Sequence, residues 1–304
     1  MIVVVGSLNF DLTVRTARFP QPGEAVLGED FTTACGGKGA NQAYAVARMG
    51  GRAVMIGCVG QDAFGEESLA SLNAVGVDTR AVLRRAETPT GVAFILLDAN
   101  GQNEIVVAPG ANRTLRAADV VQFADRFRAA RAVITQLETT LEATQAALEQ
   151  ARAAGALAVL NPAPFSPIDD ATLRLCDFLI PNENEAAHLC SCPVRTVQEA
   201  QAAAAQLRAR GARNVLITLG EKGVWVDAEQ WQGHVPAFTV PVVDTVAAGD
   251  VFIGAFVTRL VEGATVQEAT RFGCAASAIA VTRKGAQPSI PTRQEVEAFL
   301  SNKQ

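Results

Sequence analysis

The sequence predicts an α/β protein with a doubly wound, mostly parallel central sheet flanked by helices. Along most of the 304 residues, short β-branched runs alternate with Ala-rich amphipathic stretches, which is typical of strands joined by crossover helices. Hydrophobic residues make up 49% of the chain and charged residues 19%, as in globular proteins with a large core. We therefore expect a single α/β domain over residues 1–304, with a small β-sheet inserted in it.

The alternation can be followed from the N-terminus. "IVVVGS" and "RAVMIGCVG" predict strands, and "ANQAYAVARMG" and "FGEESLASLNAVG" predict helices. The same alternation continues through "RAVITQLE", "TLEATQAALEQARAAG", "LAVLNPAP", "DFLIPNENE", "VQEAQAAAAQLRARG" and "NVLITLG". Further on, "HVPAFTVPVVDT" predicts a strand. Phe252, Ala255 and Phe256 then have the i, i+3, i+4 spacing of a buried helix face.

Two segments interrupt this alternation. Residues 12–35 and 89–110 have alternating apolar positions with no helix between them, and "DANG" in the second is a turn sequence between two strands. Together they predict a small sheet that lies over the core. Such a sheet could be a lid that closes over a ligand, or an edge sheet with a structural role only.

The charge of the chain argues against a nucleic-acid surface. The formal net charge is -5, whereas binding to phosphates needs clustered Lys and Arg. The apolar run in "MIVVVGSLNFD" is shorter than a signal core or a membrane span. We therefore expect a cytoplasmic protein with no nucleic-acid or membrane partner.

The cysteines and histidines give little material for a metal site or a His-based triad. Their scattered positions favour free thiols over zinc ligation, and surface positions are expected for both histidines. These residues are Cys35, Cys58, Cys176, Cys190, Cys192, Cys274, His188 and His234.

A carboxylate, Asp250, follows three small residues where a helix is predicted to begin. Ala247, Ala248 and Gly249 would let a ligand approach the unpaired backbone N–H groups of that helix end, where the helix dipole favours an anion. Asp250 could be a helix cap. It could also accept a hydroxyl proton while the N–H groups hold the phosphoryl group that the hydroxyl attacks.

The Gly-rich stretch "CGGKGANQA" opens a predicted helix but lacks the spacing of a Walker A loop. Its glycines would permit close backbone approach to a ligand, and Lys38 and Asn41 offer hydrogen-bond donors. An ordinary strand-to-helix turn is the alternative.

In "SLNFD", Asn9 and Asp11 are two residues apart, so in an extended segment both point to the same side. An amide beside a carboxylate suits adjacent sugar hydroxyls, because the carboxylate accepts hydrogen bonds and the amide both donates and accepts. The pair also follows the first strand, and ligands of open α/β sheets gather beyond the carboxyl ends of strands.

The order and approximate spacing of eight motifs resemble the ribokinase group of the PfkB-type carbohydrate kinases. The motifs are "GSLNFD", "GGKGANQA", "TQLE", "LNPAP", "PNENEA", "LITLGEKGVW", "DTVAAGD" and "VTRKGAQPSIP". The resemblance extends over nearly the whole chain. It implies a ribokinase-like fold with a β-sheet lid and a homodimer formed through the lids.

The resemblance also implies the activity, which is ATP-dependent phosphorylation of D-ribose at its 5-hydroxyl, with Mg²⁺ and an activating monovalent cation such as K⁺. A kinase for deoxyribose, another small sugar or a nucleoside is the alternative within this chemistry. A nicotinamide-dependent oxidoreductase is disfavoured because no G-x-G-x-x-G follows the first strand. A sugar-binding regulator without turnover is disfavoured because Asp250 and its small neighbours are intact.

The site residues implied by the resemblance fall into four groups. Asp250 is the expected general base, and the backbone of Ala247, Ala248 and Gly249 is the expected anion hole. The expected ribose contacts are Asn9, Asp11, Gly37, Lys38, Asn41 and Glu138. The expected nucleotide and Mg²⁺ positions are Asn182, Glu185, Thr218, Gly220, Gly223 and Cys274, the last near the adenine. The expected K⁺ ligands are Asp244, Val246, Ala280, Arg283, Gly285 and Ser289.

The residues themselves leave one of these assignments open. Asn182 and Glu185 follow the predicted strand "FLIP", so they could equally be the cap of the next helix.

Overall fold

A nine-stranded sheet forms the centre of the molecule in the computed structural model, which describes residues 1–303. The strands are β1 (Ile2–Val5), β2 (Asn9–Thr16), β3 (Gly28–Gly36), β4 (Ala53–Gly60), β5 (Asp78–Arg85), β6 (Gly91–Leu97), β7 (Asn103–Ala108), β8 (Ala132–Thr135), β9 (Leu157–Leu160), β10 (Phe178–Leu179), β11 (Asn214–Thr218), β12 (Val224–Asp227) and β13 (Gln232–Val235).

Helices follow most of the central strands. They are α1 (Lys38–Arg48), α2 (Ala63–Ala74), α3 (Ala117–Val121), α4 (Ala124–Arg128), α5 (Leu141–Ala153), α6 (Asp170–Leu173), α7 (Glu183–Cys190), α8 (Val197–Ala209), α9 (Ala248–Val261), α10 (Val266–Ala280) and α11 (Arg293–Ser301). Short 3₁₀ helices cover Gly110–Thr114, Gly220–Lys222 and Gln287–Ser289.

The central sheet has the strand order β13-β12-β11-β10-β9-β8-β1-β4-β5. Every neighbouring pair from β5 to β11 is parallel, and β12 and β13 extend the sheet with antiparallel pairs. The chain passes from β1 to β4 and β5 on one side and returns to β8 on the other. This reversal opens a crevice beyond the carboxyl ends of β1 and β8, where such sheets bind ligands.

Helices cover both faces of the sheet, and β1, near its centre, is apolar on both sides. On β1, Val3 and Val5 join one core cluster, and Ile2 and Val4 join the cluster on the opposite face. All four side chains are buried, as expected for a strand between two helical layers. The predicted doubly wound α/β fold is therefore confirmed.

The two segments that interrupt the alternation form a separate four-stranded sheet, in the order β3-β2-β6-β7. We call these four strands the small sheet. β2 pairs antiparallel with β3 and parallel with β6, and β6 and β7 form a hairpin. Asp98 closes this hairpin, since its carboxylate accepts the N–H groups of Asn100 and Gln102, both at 2.8 Å.

The predicted strand over "HVPAFTVPVVDT" is largely wrong. β13 ends at Val235, and the residues after it form a loop. Pro236 and Pro241 have no N–H to donate, which prevents continued pairing at these positions. The loop is instead attached to the end of α10, because the N–H groups of Val243 and Asp244 donate to the carbonyl of Val281 at 2.7 and 3.2 Å.

The cysteines and histidines lie where the sequence predicts. All six cysteines are free, four of them buried, and His188 and His234 are exposed. Within residues 1–303, no helix has the length and apolar character needed to span a membrane.

Candidate active site

A cavity of about 190 Å³ lies beside the N-terminus of α9, at the carboxyl edge of the central sheet. Its lining comes from α1, from the ends of β9, β10 and β11, and from the start of α9. Eight of the predicted site residues line it, namely Lys38, Asn182, Glu185, Thr218, Ala247, Ala248, Gly249 and Asp250. The structure thus joins the predicted base and anion hole to the predicted phosphate positions.

The turn into α9 presents backbone N–H groups to this cavity. Ala247 is the N-cap and has a left-handed backbone, with φ at 61°. Among residues 1–303, the N–H groups of Ala247 and Gly249 have no acceptor, whereas that of Ala248 donates to the carbonyl of Thr245 at 3.2 Å. A Cβ placed on Gly249 would meet no atom within 4 Å. The helix end is therefore open to a ligand, with free donors and a favourable dipole.

Asp250 does not cap its helix, because the first turn of α9 has no side-chain cap hydrogen bond. Its carboxylate instead accepts two side-chain amides from α1. Asn41 Nδ2 donates to Oδ2 at 3.1 Å, and Gln42 Nε2 donates to Oδ1 at 2.9 Å. The side chain is 6% exposed. The carboxylate is thus held in one orientation at the cavity wall.

Charged side chains surround Asp250. Burial raises the pKa of Asp250, and the nearby Lys38 ammonium opposes that rise. Burial by itself lowers the pKa of Lys38, but the field of three carboxylates outweighs it, so this pKa is raised and the ammonium stays charged. Those carboxylates belong to Asp250, Glu138 and Glu185. A positive charge therefore lies beside the cavity, where anionic oxygen would be stabilised.

Lys38 and Glu138 connect the cavity to a second group of predicted residues. The Glu138 carboxylate accepts the backbone N–H of Lys38 at 3.0 Å and the hydroxyl of Ser7. Gly37, the N-cap of α1, has φ at 88°, and a Cβ on it would lie 2.6 Å from the backbone nitrogen of Asn9. Only glycine fits this turn, which brings α1 against the start of β2.

Asn9 and Asp11 lie on β2, where Phe10 between them turns to the core and stacks on Phe64 with ring centroids 4.5 Å apart. The Asn9 Oδ1 accepts Nδ2 of Asn112 at 2.7 Å. Burial, helped by the charge of Glu138, raises the pKa of Asp11 to about 6. This carboxylate is poorly solvated and has hydrogen-bonding capacity for a ligand.

Asn182 and Glu185 form a capping box at the start of α7. The Glu185 carboxylate accepts the backbone N–H of Asn182 at 2.9 Å, and Asn182 Oδ1 accepts the N–H of Glu185 at 2.8 Å. The capping interpretation is therefore confirmed for the helix, and both residues also line the cavity. Burial raises the pKa of Glu185.

Three predicted nucleotide residues do not line this cavity. Gly220 lies in an open turn, since a Cβ on it would meet no atom within 4 Å. Gly223 has φ at 92°, and a Cβ on it would lie 2.1 Å from the carbonyl oxygen of Val235, so packing alone requires glycine there. Cys274 is 7% exposed and packs in the core. Their nucleotide contacts stay predictions.

The predicted K⁺ ligands lie on two loops joined by Asp244. Its carboxylate accepts the N–H of Val246 at 3.0 Å and the N–H of Gly285 at 2.9 Å. The Ala280 carbonyl accepts the N–H of Arg283 at 3.0 Å. The Ser289 hydroxyl donates to a neighbouring backbone carbonyl at 2.7 Å. Oxygen atoms that could bind a cation thus come from two loops, and one of these loops leads into the turn at the start of α9.

The described residues contain no group of three or more His, Cys, Asp or Glu that could hold a metal ion. The six predicted K⁺ ligands rely mainly on backbone carbonyls, which suit a hard cation of single charge.

Sequence reasoning missed four polar residues of the site, which are Ser7, Gln42, Asn112 and Asn161. Gln42 follows Asn41 directly in "GGKGANQA", and Asn161 is in "LNPAP" and lines the cavity. Both were in quoted motifs, so a buried amide in a motif was the available signal. Ser7 is likewise in the motif "GSLNFD", whereas Asn112 lies outside all eight motifs and had no such signal.

The pfkB family of carbohydrate kinases matches residues 1–293, so the chain belongs to this family. Its resemblance to ribokinases is also confirmed. The chain is 41% identical to ribokinase from Haemophilus influenzae, with 99% of this chain and 98% of that protein covered. It is 37% identical to a deoxyribokinase from Salmonella typhi, with 99% and 98% covered.

Among solved structures, the fold is similar to that of Arabidopsis thaliana ribokinase complexed with ribose and ATP. The TM-score is 0.93 and the sequence identity 33%, with 98% of both chains covered.

Proposed function

We propose that the protein is an ATP-dependent sugar kinase that phosphorylates D-ribose at its 5-hydroxyl and releases ADP. The observation that carries this proposal is the meeting of the Asp250 carboxylate and the free N–H groups of the α9 turn in one cavity. The chain is similar to ribokinases over its whole length. One of the similar solved structures is a ribokinase complexed with ribose and ATP, which supports the choice of substrates.

In the proposed reaction, Asp250 takes the proton of the sugar 5-hydroxyl as that oxygen attacks the γ-phosphorus of ATP. The bond between the γ-phosphorus and the leaving oxygen of ADP breaks in line, and no covalent enzyme intermediate forms. The N–H groups of the α9 turn and the Lys38 ammonium stabilise the charge on the transferring group. Positioning and charge stabilisation are the main contributions of a protein to phosphoryl transfer.

The sugar is bound by the residues at the starts of β2 and α1. Asp11 accepts hydrogen bonds from sugar hydroxyls. The buried Oδ1 of Asn41 has no partner within residues 1–303, so it is suited to accept a further hydroxyl. Asn9, Gly37, Lys38 and Glu138 complete the proposed sugar site.

The oxygen ligands that the chain offers suit Mg²⁺ and K⁺. Asn182 and Glu185 line the cavity and would hold hydrated Mg²⁺ near the phosphates, since this ion keeps several waters and binds few carboxylates. K⁺ would bind between the loops joined by Asp244 and order the turn before α9. If so, replacing K⁺ with Na⁺ lowers kcat/KM, and unchanged kinetics in Na⁺ would contradict the K⁺ assignment.

We further propose that the small sheet is a lid and that two chains pair through it. Its exposed apolar residues are Leu27 in the loop before β3, Phe31 on β3, Phe94 on β6, and Ile105, Val106 and Val107 on β7. Such a surface is typical of a protein–protein contact. A lid at this place would exclude water, which otherwise competes with the sugar as the phosphoryl acceptor.

A deoxyribose kinase is the second candidate, because a deoxyribokinase is 37% identical to the chain over nearly its whole length. Phosphorylation rates for ribose, deoxyribose, fructose and adenosine with ATP and Mg²⁺ separate the candidates. We expect the highest kcat/KM for ribose. A clear preference for another acceptor would overturn the choice of sugar, and no turnover with any of them would overturn the kinase assignment.

A further inference from the structure

The Asp250 carboxylate is fixed by an amide that the proposed reaction does not itself use. We propose that Gln42 is a positioning residue that keeps the Asp250 carboxylate aimed at the cavity, and that Gln136 in turn orients the Gln42 amide. This inference rests on the proposed role of Asp250 as the general base.

Gln42 and Asn41 are neighbours on α1, yet their hydrogen bonds differ. Each donates to one carboxylate oxygen of Asp250. The Asn41 Oδ1 has no partner in the described residues, so Asn41 has capacity left for a ligand. Gln42 is 0% exposed, and both ends of its amide bind protein groups. Asn41 is therefore suited to touch the sugar, and Gln42 is suited to hold the base.

The orientation of the Gln42 amide is determined by its other partners. Its Oε1 accepts Nε2 of Gln136 at 2.6 Å, and its Nε2 also donates to Oδ1 of Asn161 at 3.2 Å. Asn161 is oriented by donating Nδ2 to the carbonyl of Ile180 at 3.0 Å. A rotated Gln42 amide would place its NH₂ against the NH₂ of Gln136 and its oxygen against the Asp250 carboxylate. Both contacts are unfavourable, so the NH₂ faces Asp250.

The far end of this series of amides packs closely against the backbone that follows β1, and the Gln136 Oε1 has no hydrogen-bond partner within residues 1–303. A Cβ on Gly6, which follows β1, would lie 2.0 Å from Oε1 of Gln136. The Gln136 side chain is fully buried, and its backbone carbonyl accepts the hydroxyl of Thr144 at 2.9 Å. Gln136 therefore has little freedom to release the Gln42 amide.

The hydrogen bond from Gln42 also affects the ionisation of the base. Burial raises the pKa of Asp250, and Lys38, Asn41 and Gln42 each lower it. The charged groups that face Asp250 are Lys38 from α1, Glu138 after β8 and Glu185 from α7. A general base must be deprotonated, so activity falls as the pH falls through its pKa. Loss of the Gln42 donor therefore moves the acidic limb of the kcat profile to higher pH.

Two variants of different chemistry test the inference. Gln42→Met keeps the length of the side chain and removes the amide, and Gln42→Glu keeps its shape and removes the NH₂ donor. For both variants we expect kcat to fall by about 10- to 100-fold and KM for ribose and ATP to stay within about 3-fold of the wild-type value. We also expect the acidic limb of the kcat profile to move to higher pH. Gln145→Met is the matched control, because Gln145 on α5 donates to Thr172 Oγ1 at 2.8 Å and does not line the cavity. We expect its kinetics to be unchanged.

The same substitutions in an Asp250→Asn background show whether Gln42 acts through Asp250. We expect Gln42→Met to change the residual rate of Asp250→Asn by less than about 2-fold, since groups that act as a unit are non-additive. An equal loss in both backgrounds, or a kcat near that of the wild type in folded Gln42 variants, would overturn the positioning role. So would failure of both variants to fold, which would make the role structural. A near-normal rate for Asp250→Asn alone would instead overturn the proposed base.

Discussion

At the scale of single residues, the environment of Asp250 and Asp11 determines what each carboxylate can do. Asp250 is buried against a lysine and two amides, whereas Asp11 is buried near a second carboxylate. In the first environment burial raises the pKa of Asp250, while the lysine and the two amides lower it, and the amides hold the carboxylate in one orientation. The second leaves a carboxylate that titrates close to neutral pH.

We predict that Asp250→Asn folds normally and binds ribose but loses about 10² to 10⁴ in kcat, the usual effect of removing a general base. The amide has nearly the shape of the carboxylate but cannot take the hydroxyl proton. Initial rates and ribose titrations measure the two quantities. A rate close to wild type would mean that Asp250 is not the base.

We predict that KM for ribose rises as the pH falls through about 6, the pKa of Asp11. The protonated carboxyl accepts fewer sugar hydroxyls, so KM at pH 5 exceeds that at pH 8 by roughly tenfold. In Asp11→Asn the KM is high at both values and this dependence disappears. A KM for the wild type that does not vary with pH would contradict the sugar contact of Asp11.

The same pKa has a consequence for stability. Because the folded state binds this proton more tightly than the unfolded chain, the free energy of unfolding falls as the pH rises from 3.8 to about 6 and stays lowered above that. Asp11→Asn is therefore expected to raise Tm at pH 8, with a gain of up to about 3 kcal/mol. Thermal unfolding of both proteins at pH 4 and pH 8 measures this difference.

At the scale of elements, the start of α9 combines the turn, the free N–H groups and the base within four residues. Ala247, with φ at 61°, has the left-handed backbone that leads from the preceding loop into the first turn of α9. This turn lines the cavity. The Ser277 hydroxyl on α10 donates to the Ala248 carbonyl at 2.7 Å, which fixes this turn from the side away from the ligand. This hydrogen bond holds the start of α9 against α10.

We predict that Gly249→Val leaves Tm within about 2 °C of wild type, because a Cβ at this position meets no protein atom within 4 Å. The added atoms occupy the space beside the free N–H groups, so KM for ATP rises by about tenfold or more. Ala118→Val on α3 introduces valine at the same helix position far from the cavity, and we expect unchanged kinetics. An unaffected KM in Gly249→Val would contradict phosphate binding at this turn.

At the scale of the whole molecule, five of the twelve exposed large apolar side chains among residues 1–303 lie on the small sheet. β7 is an edge strand, and all six of its residues are exposed. An exposed apolar edge strand attracts another chain, and a symmetric dimer covers it on both copies.

We predict that Val106→Lys, at a residue that is 68% exposed, converts the protein from a dimer to a monomer. Light scattering should then give the chain mass of 31.8 kDa instead of twice that value. Val121→Lys on α3 changes an exposed apolar residue outside the small sheet and should leave the dimer intact. A wild-type monomer, or a dimer that survives Val106→Lys, would contradict pairing through β7.

The architecture could be predicted from the sequence because its signal is local. The spacing of Phe252, Ala255 and Phe256 correctly indicates the buried face of α9. The loop after Val235 could not be predicted in the same way, since its apolar residues resemble a strand and only the two prolines argue against it. Its attachment to Val281 is a long-range contact with no local pattern.

The candidate site was also predictable where its signal is a local motif, and not where it depends on long-range contacts. The motifs indicated Asp250, Lys38 and Asn41, and the structure brings these side chains together. The different roles of Asn41 and Gln42 were not readable, because adjacent amides on one helix have the same chemistry. Their partners in the folded chain distinguish them, since Gln42 binds Gln136, which follows β8, whereas the Asn41 Oδ1 has no partner within residues 1–303.

The contact between Asn41 and Asp250 spans 209 residues of sequence. A ribosome that has made only the first two thirds of the chain has therefore produced Asn41 without its carboxylate partner or the α9 turn. If the proposed roles hold, such a nascent chain has no base for phosphoryl transfer. The proposed site is then completed late in synthesis, when α9 packs against α1.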